Sequence, residues 1–164
     1  MQVVPAEKLG KVMKDADRRM RQAINKGAKR AAWRGKDRLI KAADDKKIRY
    51  RKRYQKSFRI RRRDGNWAIV NEAPQAGIIE LGTRPHPVSE GGIKMLERWA
   101  KRTLGIRGRS KKAKAQARGV AEAIARDIQH RGQKGRYVFR DELDKLARYW
   151  REETVKQLRK AGAR

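Results

Sequence analysis

Between Ala6 and about Asp45 the apolar and small residues fall at Leu9, Val12, Met13, Ala16, Met20, Ala23, Ile24, Gly27, Ala28, Ala31, Leu39 and Ala42. That spacing follows the helical repeat and predicts one long amphipathic helix. A helix this long restricts the fold, because other elements or another chain must line its side. The stripe is narrow and built of small residues, which predicts close packing against a second helix of this chain or of another subunit. Pro5 suits the helix start, and Gly27 and Gly35 mark either a bend or a close approach.

The segment after this helix changes character. Lys46 to Arg63 holds eleven basic residues and no acid. Asp64-Gly65 then separates two β-prone runs, so Ser57 to Asn71 is predicted to form a hairpin with those two residues as its turn. The register follows: Arg63 opposite Asn66, Arg62 opposite Trp67, Ile60 opposite Ile69, Phe58 opposite Asn71. Alternation puts Phe58, Ile60, Trp67 and Ile69 on one face, expected to be buried. Arg59, Arg61 and Arg63 share the other face with Ala68 and Val70, giving an arginine row.

Ala73 to Leu81 reads as a short helix after Pro74 or as a strand ending at Gly82. Pro85 and Pro87 prevent either element from continuing through "GTRPHPVSEGG". Ile93, Leu96, Trp99, Ala100 and Leu104 predict a short amphipathic helix, and "GIRGRSKK" an exposed basic loop. A further helix is expected from Lys111 to Arg131, with Ala113, Ala117, Val120, Ala121, Ile124 and Ile128 on one face. "RYVF" reads as a short strand or an anchor. The last helix, from about Asp141 to Lys160, has the stripe Leu143, Leu146, Ala147, Trp150, Val155 and Leu158, with Asp141 and Glu142 near its positive end.

These elements define an α+β class: a long N-terminal helix, a small antiparallel sheet with a hairpin, and several packed helices including a C-terminal one. The expected organisation is one domain over residues 1–140, with the helix of 141–164 packed on it or on a neighbour. The net charge of +29 and pI of about 11.4 exceed what solubility needs. A compact monomer carrying that charge repels itself unless an anionic partner or neighbouring subunits offset the field, and nucleic acid is the leading partner. No apolar run approaches the roughly 18 residues of a spanning helix, so no membrane partner is expected. The absence of cysteine excludes disulfides and thiolate metal sites. "MQVVPAEKLG" has no basic region followed by an apolar one, so no secretory signal is expected.

Glu80 and His86 are the acid and imidazole from which a catalytic reading starts. No Ser or Thr elbow, phosphate loop or second acid accompanies them, and a His between two prolines is more often held by backbone and packing. Asp15, Asp17, Asp44 and Asp45 do not form the cluster a nuclease metal needs, and His86 and His130 do not suggest zinc. No catalytic residue, metal or cofactor is therefore expected. The basic tract interleaves with Tyr50, Tyr54, Phe58 and Ile60, which a solvated tail does not require. Lys47, Arg49, Arg51, Lys52, Arg53, Arg59, Arg61 and Arg63 are the candidate contacts to nucleic-acid phosphates or to an acidic protein surface. Trp67, Trp99 and Trp150 fall on apolar faces and are expected in the core, whereas Trp33, between Ala32 and Arg34, is the candidate interface residue among the four.

"NEAPQAGIIELGTRPHPV" resembles the segment N-x-A-P-Y-A-x-x-V-E-x-G-T-x-P-H of the neck and tail-completion proteins of tailed bacteriophages, the head-tail joining or tail-component family. The matching positions are Asn71, Ala73, Pro74, Ala76, Glu80, Gly82, Thr83, Pro85 and His86. The order of elements from about Leu9 to Phe139 is also similar. Gln75 and Gly77 depart from the pattern, as does the helix after residue 140. The resemblance implies a non-enzymatic virion protein, assembled in the host cytoplasm into a homo-oligomeric ring, commonly sixfold. Such a ring lies between portal-side neck proteins and the tail-terminator or tail-tube proteins, around the channel through which DNA leaves. It further implies that Thr83, Arg84, Pro85 and His86 shape a subunit contact and that Glu80 anchors it. The alternative is a freestanding basic DNA- or RNA-binding protein.

Overall fold

The computed structural model describes residues 6–48, 52–106, 108 and 110–162. Pro5, Tyr50, Arg49 and Arg51 lie outside the described residues. The class is α+β and predominantly helical, with helices α1 (Ala6–Asp45), α2 (Arg53–Lys56), α3 (Ala76–Leu81), α4 (Glu90–Thr103), α5 (Lys111–Arg131) and α6 (Leu143–Lys160). The strands are β1 (Phe58–Arg63), β2 (Asn66–Asn71), β3 (Gly82–Thr83) and β4 (Gln133–Lys134), and a 3-10 turn at Arg140–Glu142 precedes α6. Residues 1–76 and 137–164 form one compact unit, and residues 77–136 the other. The C-terminal helix, expected to pack on the domain before it or on a neighbour, groups with the N-terminal part of the chain, and the second unit lies between the two in sequence.

In the first unit α1 runs unbroken through both glycines. A Cβ on Gly27 would stand 2.6 Å from Thr154 Cα, and one on Gly35 would stand 2.8 Å from Ile69 Cδ1 and 2.9 Å from Leu146 Cδ2. The glycines thus mark close approach, not a bend. Gly27 opposite Thr154 and Gly35 opposite Leu146 make α1 and α6 antiparallel neighbours. Ala23, Ala31, Ala32, Leu39, Ala42 and Ala43 complete the buried side of α1.

This close seam overturns the expected face of α6. Thr154 and Gln157 are buried, whereas Leu143, Trp150 and Val155 are exposed and Leu146 and Leu158 are half-buried. Backbone contact at Gly27 leaves room for a threonine but not for an indole. Polar links run along the seam: Arg38 donates to both Glu142 carboxylate oxygens at 2.7 Å, Arg34 Nη1 to Glu152 at 2.7 Å, and Lys46 Nζ to Asp141 at 2.5 Å. The Arg38 hydrogen bonds hold the Glu142 carboxyl below the ordinary carboxylate range although burial opposes them.

The hairpin has the expected register, from Phe58 opposite Asn71 to Arg63 opposite Asn66. Asp64 (φ 50°) and Gly65 (φ 78°) both adopt positive φ, the turn whose twist matches that of the strands. Its inner face is less covered than expected: Phe58 is fully buried, while Ile60, Trp67 and Ile69 are half-buried. Phe58 meets Tyr54 edge-on at 5.3 Å and Phe139 at 5.6 Å, and with Leu39 and Val138 these form the centre of the unit. Val138 is the anchor in "RYVF". Asn71 Nδ2 donates to Tyr54 O at 2.9 Å, and Asn71 Oδ1 accepts from Ala73 N at 2.9 Å, so the asparagine ties the hairpin to α2 and sets the turn into Pro74.

In the second unit Ser89 and Ser110 cap α4 and α5, accepting from Gly92 N and Ala113 N at 3.2 Å. The helices pack through Ala100 of α4 and Ala113, Ala117, Ala121, Ala125 and Ile128 of α5. Trp99 is 37% exposed. With Trp67 half-buried and Trp150 on the surface, none of the three tryptophans expected in the core is buried there, and Trp33 is exposed. Arg118 of α5 donates to Glu90, Glu97 and Glu122 at 2.7, 3.2 and 2.6 Å, which holds its pKa further above the usual value and lowers that of Glu90.

Candidate nucleic-acid interface

The arginine row exists. Arg59, Arg61 and Arg63 lie on the outer face of β1, with side chains 52, 63 and 88% exposed. It is not a row of unoccupied cations. Glu72, one residue beyond β2, continues the alternation of Asn66, Ala68 and Val70 and so falls on the arginine face. Its carboxylate accepts from Arg61 Nε at 2.9 Å and from Arg61 Nη2, and lies 3.9 Å from Arg59 Nε. Arg59 Nη1 donates to the carbonyls of Lys56 and Phe58 at 2.6 and 3.0 Å, and Arg63 stands 3.7 Å from Asp64. Glu72 was missed at the sequence level, although extending the strand alternation by one residue identifies it.

The described basic residues Lys47, Lys52 and Arg53 do not continue the row. Lys47 (φ 57°) and Lys52 (φ 54°) sit at turns with positive φ, and Arg53 is on α2; all three are exposed. The inner side of α2 supplies Tyr54 and Gln55 to the core, and Gln55 Nε2 donates to Asp44 Oδ1 at 3.0 Å and Ile48 O at 2.6 Å, closing the end of α1. Arg62 points to the hairpin's other face, 5.9 Å from the Trp67 ring centre. The resulting surface offers charge and hydrogen-bond donors suited to phosphate oxygens and not to reading bases, in competition with the carboxylates of Glu72 and Asp64.

The second group of candidates is built differently. Gly82 and Thr83 of β3 pair with Lys134 and Gln133 of β4. This clip brings backbone against backbone: a Cβ on Gly82 would lie 2.0 Å from Gln133 O, on Gly132 2.1 Å from Thr83 O, and on Gly135 2.5 Å from Glu80 O. Thr83 Oγ1 accepts from Gln133 N at 3.1 Å, and Arg136 N donates to Ile79 O at 2.6 Å. Glu80, on α3, is half-buried beside the clip, while Arg84, Pro85 and His86 are exposed beyond it. His86 Nδ1 lies 2.9 Å from Arg84 O, the geometry of a donated hydrogen bond.

A cleft of about 660 Å³ beside the clip is lined by Ile78, Trp99, Ile124 and the glycine turn, and neither Glu80 nor His86 lines it. Among the described residues no three His, Cys, Asp or Glu side chains group to hold a metal, and no helix is long and apolar enough to cross a membrane. No protein-family model, curated protein or solved structure matches this chain.

Proposed function

We propose that the chain is a structural, non-enzymatic virion protein of a phage neck, assembled in the host cytoplasm into a homo-oligomeric, sixfold ring that completes the tail and joins it to the head around the DNA channel. The observation that carries the reading is the clip. The residues that resemble the neck family fold into a fixed backbone shape, with Gly82 and Thr83 held on Gln133 and Lys134, and present Arg84, Pro85 and His86 outward. A rigid loop of this kind serves as a shape-defined contact between subunits and needs no reactive chemistry.

In this reading Arg59, Arg61 and Arg63, with Lys47, Lys52 and Arg53, face DNA phosphates or an acidic ring surface. Neighbouring neck, portal-side and tail-terminator or tail-tube proteins lie above and below the ring. Imaging virions assembled without this protein tests the proposal: DNA-filled heads without attached tails are expected, and heads joined normally to tails would overturn it. A monomer that binds DNA tightly at moderate salt and is absent from virions would instead be a freestanding nucleic-acid-binding protein.

A further inference from the structure

The hairpin turn decides what lies on the inner side of the hairpin, next to α1. Because Asp64-Gly65 sets Arg62 opposite Trp67, these two side chains share the inner face, away from Glu72 and the arginine row. Trp67 Nε1 donates to Asn25 Oδ1 at 2.7 Å, which fixes the indole against α1. Arg62 and Lys29 stand 5.9 and 5.5 Å from the Trp67 ring centre, within reach of its electrostatic attraction. Among the described residues neither cation pairs with a carboxylate.

Trp150 of α6 bounds the same space and is 53% exposed. Clefts of about 530 and 210 Å³ meet at Ala28, Trp67 and Trp150. The smaller is lined by apolar and aromatic side chains, the larger adds Arg21, Gln22 and Arg62, and no acid lines either. Gln22 and Asn25 lie one turn apart on α1 and are exposed; with Oδ1 engaged by Trp67, Asn25 Nδ2 remains to donate. Arg21 is held by Asp17 at 2.8 Å, so Arg62 and Lys29 are the cations here most open to an anion.

We propose that this cleft binds single-stranded nucleic acid, with an unpaired base stacked on Trp150 and the flanking phosphates on Arg62 and Lys29. Three requirements of such a site meet here: an exposed aromatic plane, amide groups able to meet base edges, and cations without competing carboxylates. A duplex offers no free base face to Trp150, so its backbone goes to the arginine row on the opposite face of the hairpin. An acidic peptide would use the cations but would leave the indoles without a partner. Recognition is tolerant of sequence, because every base has a flat face. The site needs no ring and no neighbouring virion protein, so its failure would leave the neck reading untouched.

The test is anisotropy titration of the full chain with a labelled oligothymidine, an abasic strand of the same length and a duplex. Oligothymidine should bind and quench tryptophan fluorescence, and the abasic strand should bind at least about fivefold more weakly. Trp150→Ala should weaken oligothymidine binding by about five- to 140-fold, the loss expected for one stacked base, and remove part of the quenching. Its duplex affinity should stay within about twofold of wild type, and Trp150→Phe should restore most of the oligothymidine affinity. Arg62→Gln should lower the magnitude of the log-log salt slope for oligothymidine by about 0.7 and leave the duplex slope unchanged. Circular dichroism checks that the variants remain folded. Equal affinity for the abasic strand and oligothymidine, an unchanged affinity in Trp150→Ala, or an equal loss for the duplex would each overturn the proposal. Thymidine monophosphate binding as tightly as the strand would make the cleft a free-nucleotide site, and would overturn it too.

Discussion

Replacing Gly27 with alanine sets two effects of opposite sign against each other. Inside a helix the exchange of glycine for alanine is favourable by about 1 kcal/mol. At Gly27, however, the new Cβ would lie 2.6 Å from Thr154 Cα and 3.0 Å from Glu153 O. Carbon atoms pack at roughly 3.5–4.0 Å, so the helices must separate by about 1 Å. The obstacle is backbone, and no rotamer change relieves it. Overpacking of this kind costs about 1–3 kcal/mol, and the shift also stretches the Arg38 to Glu142 pair on the same seam. The net expectation is destabilisation by up to about 2 kcal/mol. Gly119 in α5 is the control, because a Cβ there meets nothing within 4 Å, so Gly119→Ala should stabilise its own unit by up to about 1 kcal/mol. Urea unfolding followed by circular dichroism and tryptophan fluorescence measures both, and with slopes of about 1–3 kcal/mol/M the midpoints should move in opposite directions by several tenths of a molar unit or more. A Gly27→Ala protein stabilised as much as the Gly119 variant would refute the close-contact account of α1 and α6.

Three other expectations concern the hairpin, the seam and the clip. Glu72→Gln should tighten duplex DNA binding, and Arg61→Gln should reduce the magnitude of the log-log salt slope by about 0.9; anisotropy titrations with unchanged affinity and slope would remove the hairpin from the interface. Glu142 is held below its unfolded value of about 4.3, so its contribution is full above that pH and is lost as pH falls through the lower folded value. Acid unfolding curves of Glu142→Gln should accordingly be flatter across that window, and a curve parallel to wild type would contradict the assignment. Gly132→Ala, at φ 71° with Thr83 O 2.1 Å from the new Cβ, should cost about 3 kcal/mol or more and speed amide exchange at Gln133, whereas Gly65→Ala, in open space, should cost only about 1–2 kcal/mol of backbone strain.

Local signals made α1, the hairpin register and the ends of α5 legible in the sequence. Helical periodicity acts over a few turns, and Asp64-Gly65 fixes a register by itself. The face of α6 was not legible, because the bulky stripe through Leu143, Trp150 and Val155 is what an isolated helix would bury. A partner presenting glycine selected Thr154 and Gln157 instead. For α2 the cause lies elsewhere in the fold: four residues are helical because Tyr54 reaches the core and Gln55 closes α1. The clip escaped detection because strands of two residues have no readable alternation. The sequence marked "GTRPHPVSEGG" as a break and ended a helix at Arg131, and what it did not reveal is that the two segments meet, each in the space opened by the glycines of the other.

The distribution of acids makes some basic residues more open to an anion than others. The chain holds 18 acids against 47 Lys and Arg. Several of those acids are spent at seams between elements: Glu142 and Glu152 join α6 to α1, Asp141 joins the turn before α6 to the end of α1, and Glu90, Glu97 and Glu122 surround Arg118. At Arg118 three carboxylates meet one guanidinium, and an arriving phosphate would face repulsion and displace well-made bonds. On the hairpin the ratio reverses, with Glu72 serving two arginines and Asp64 at 3.7 Å from the third. A phosphate there adds acceptors faster than it encounters like charge, and the row is exposed enough for a duplex backbone to reach it. Local ratio of acceptors to donors, more than net charge, therefore favours the hairpin as the polyanion face of the proposed function, and Glu72 is the side chain whose removal should most enlarge it.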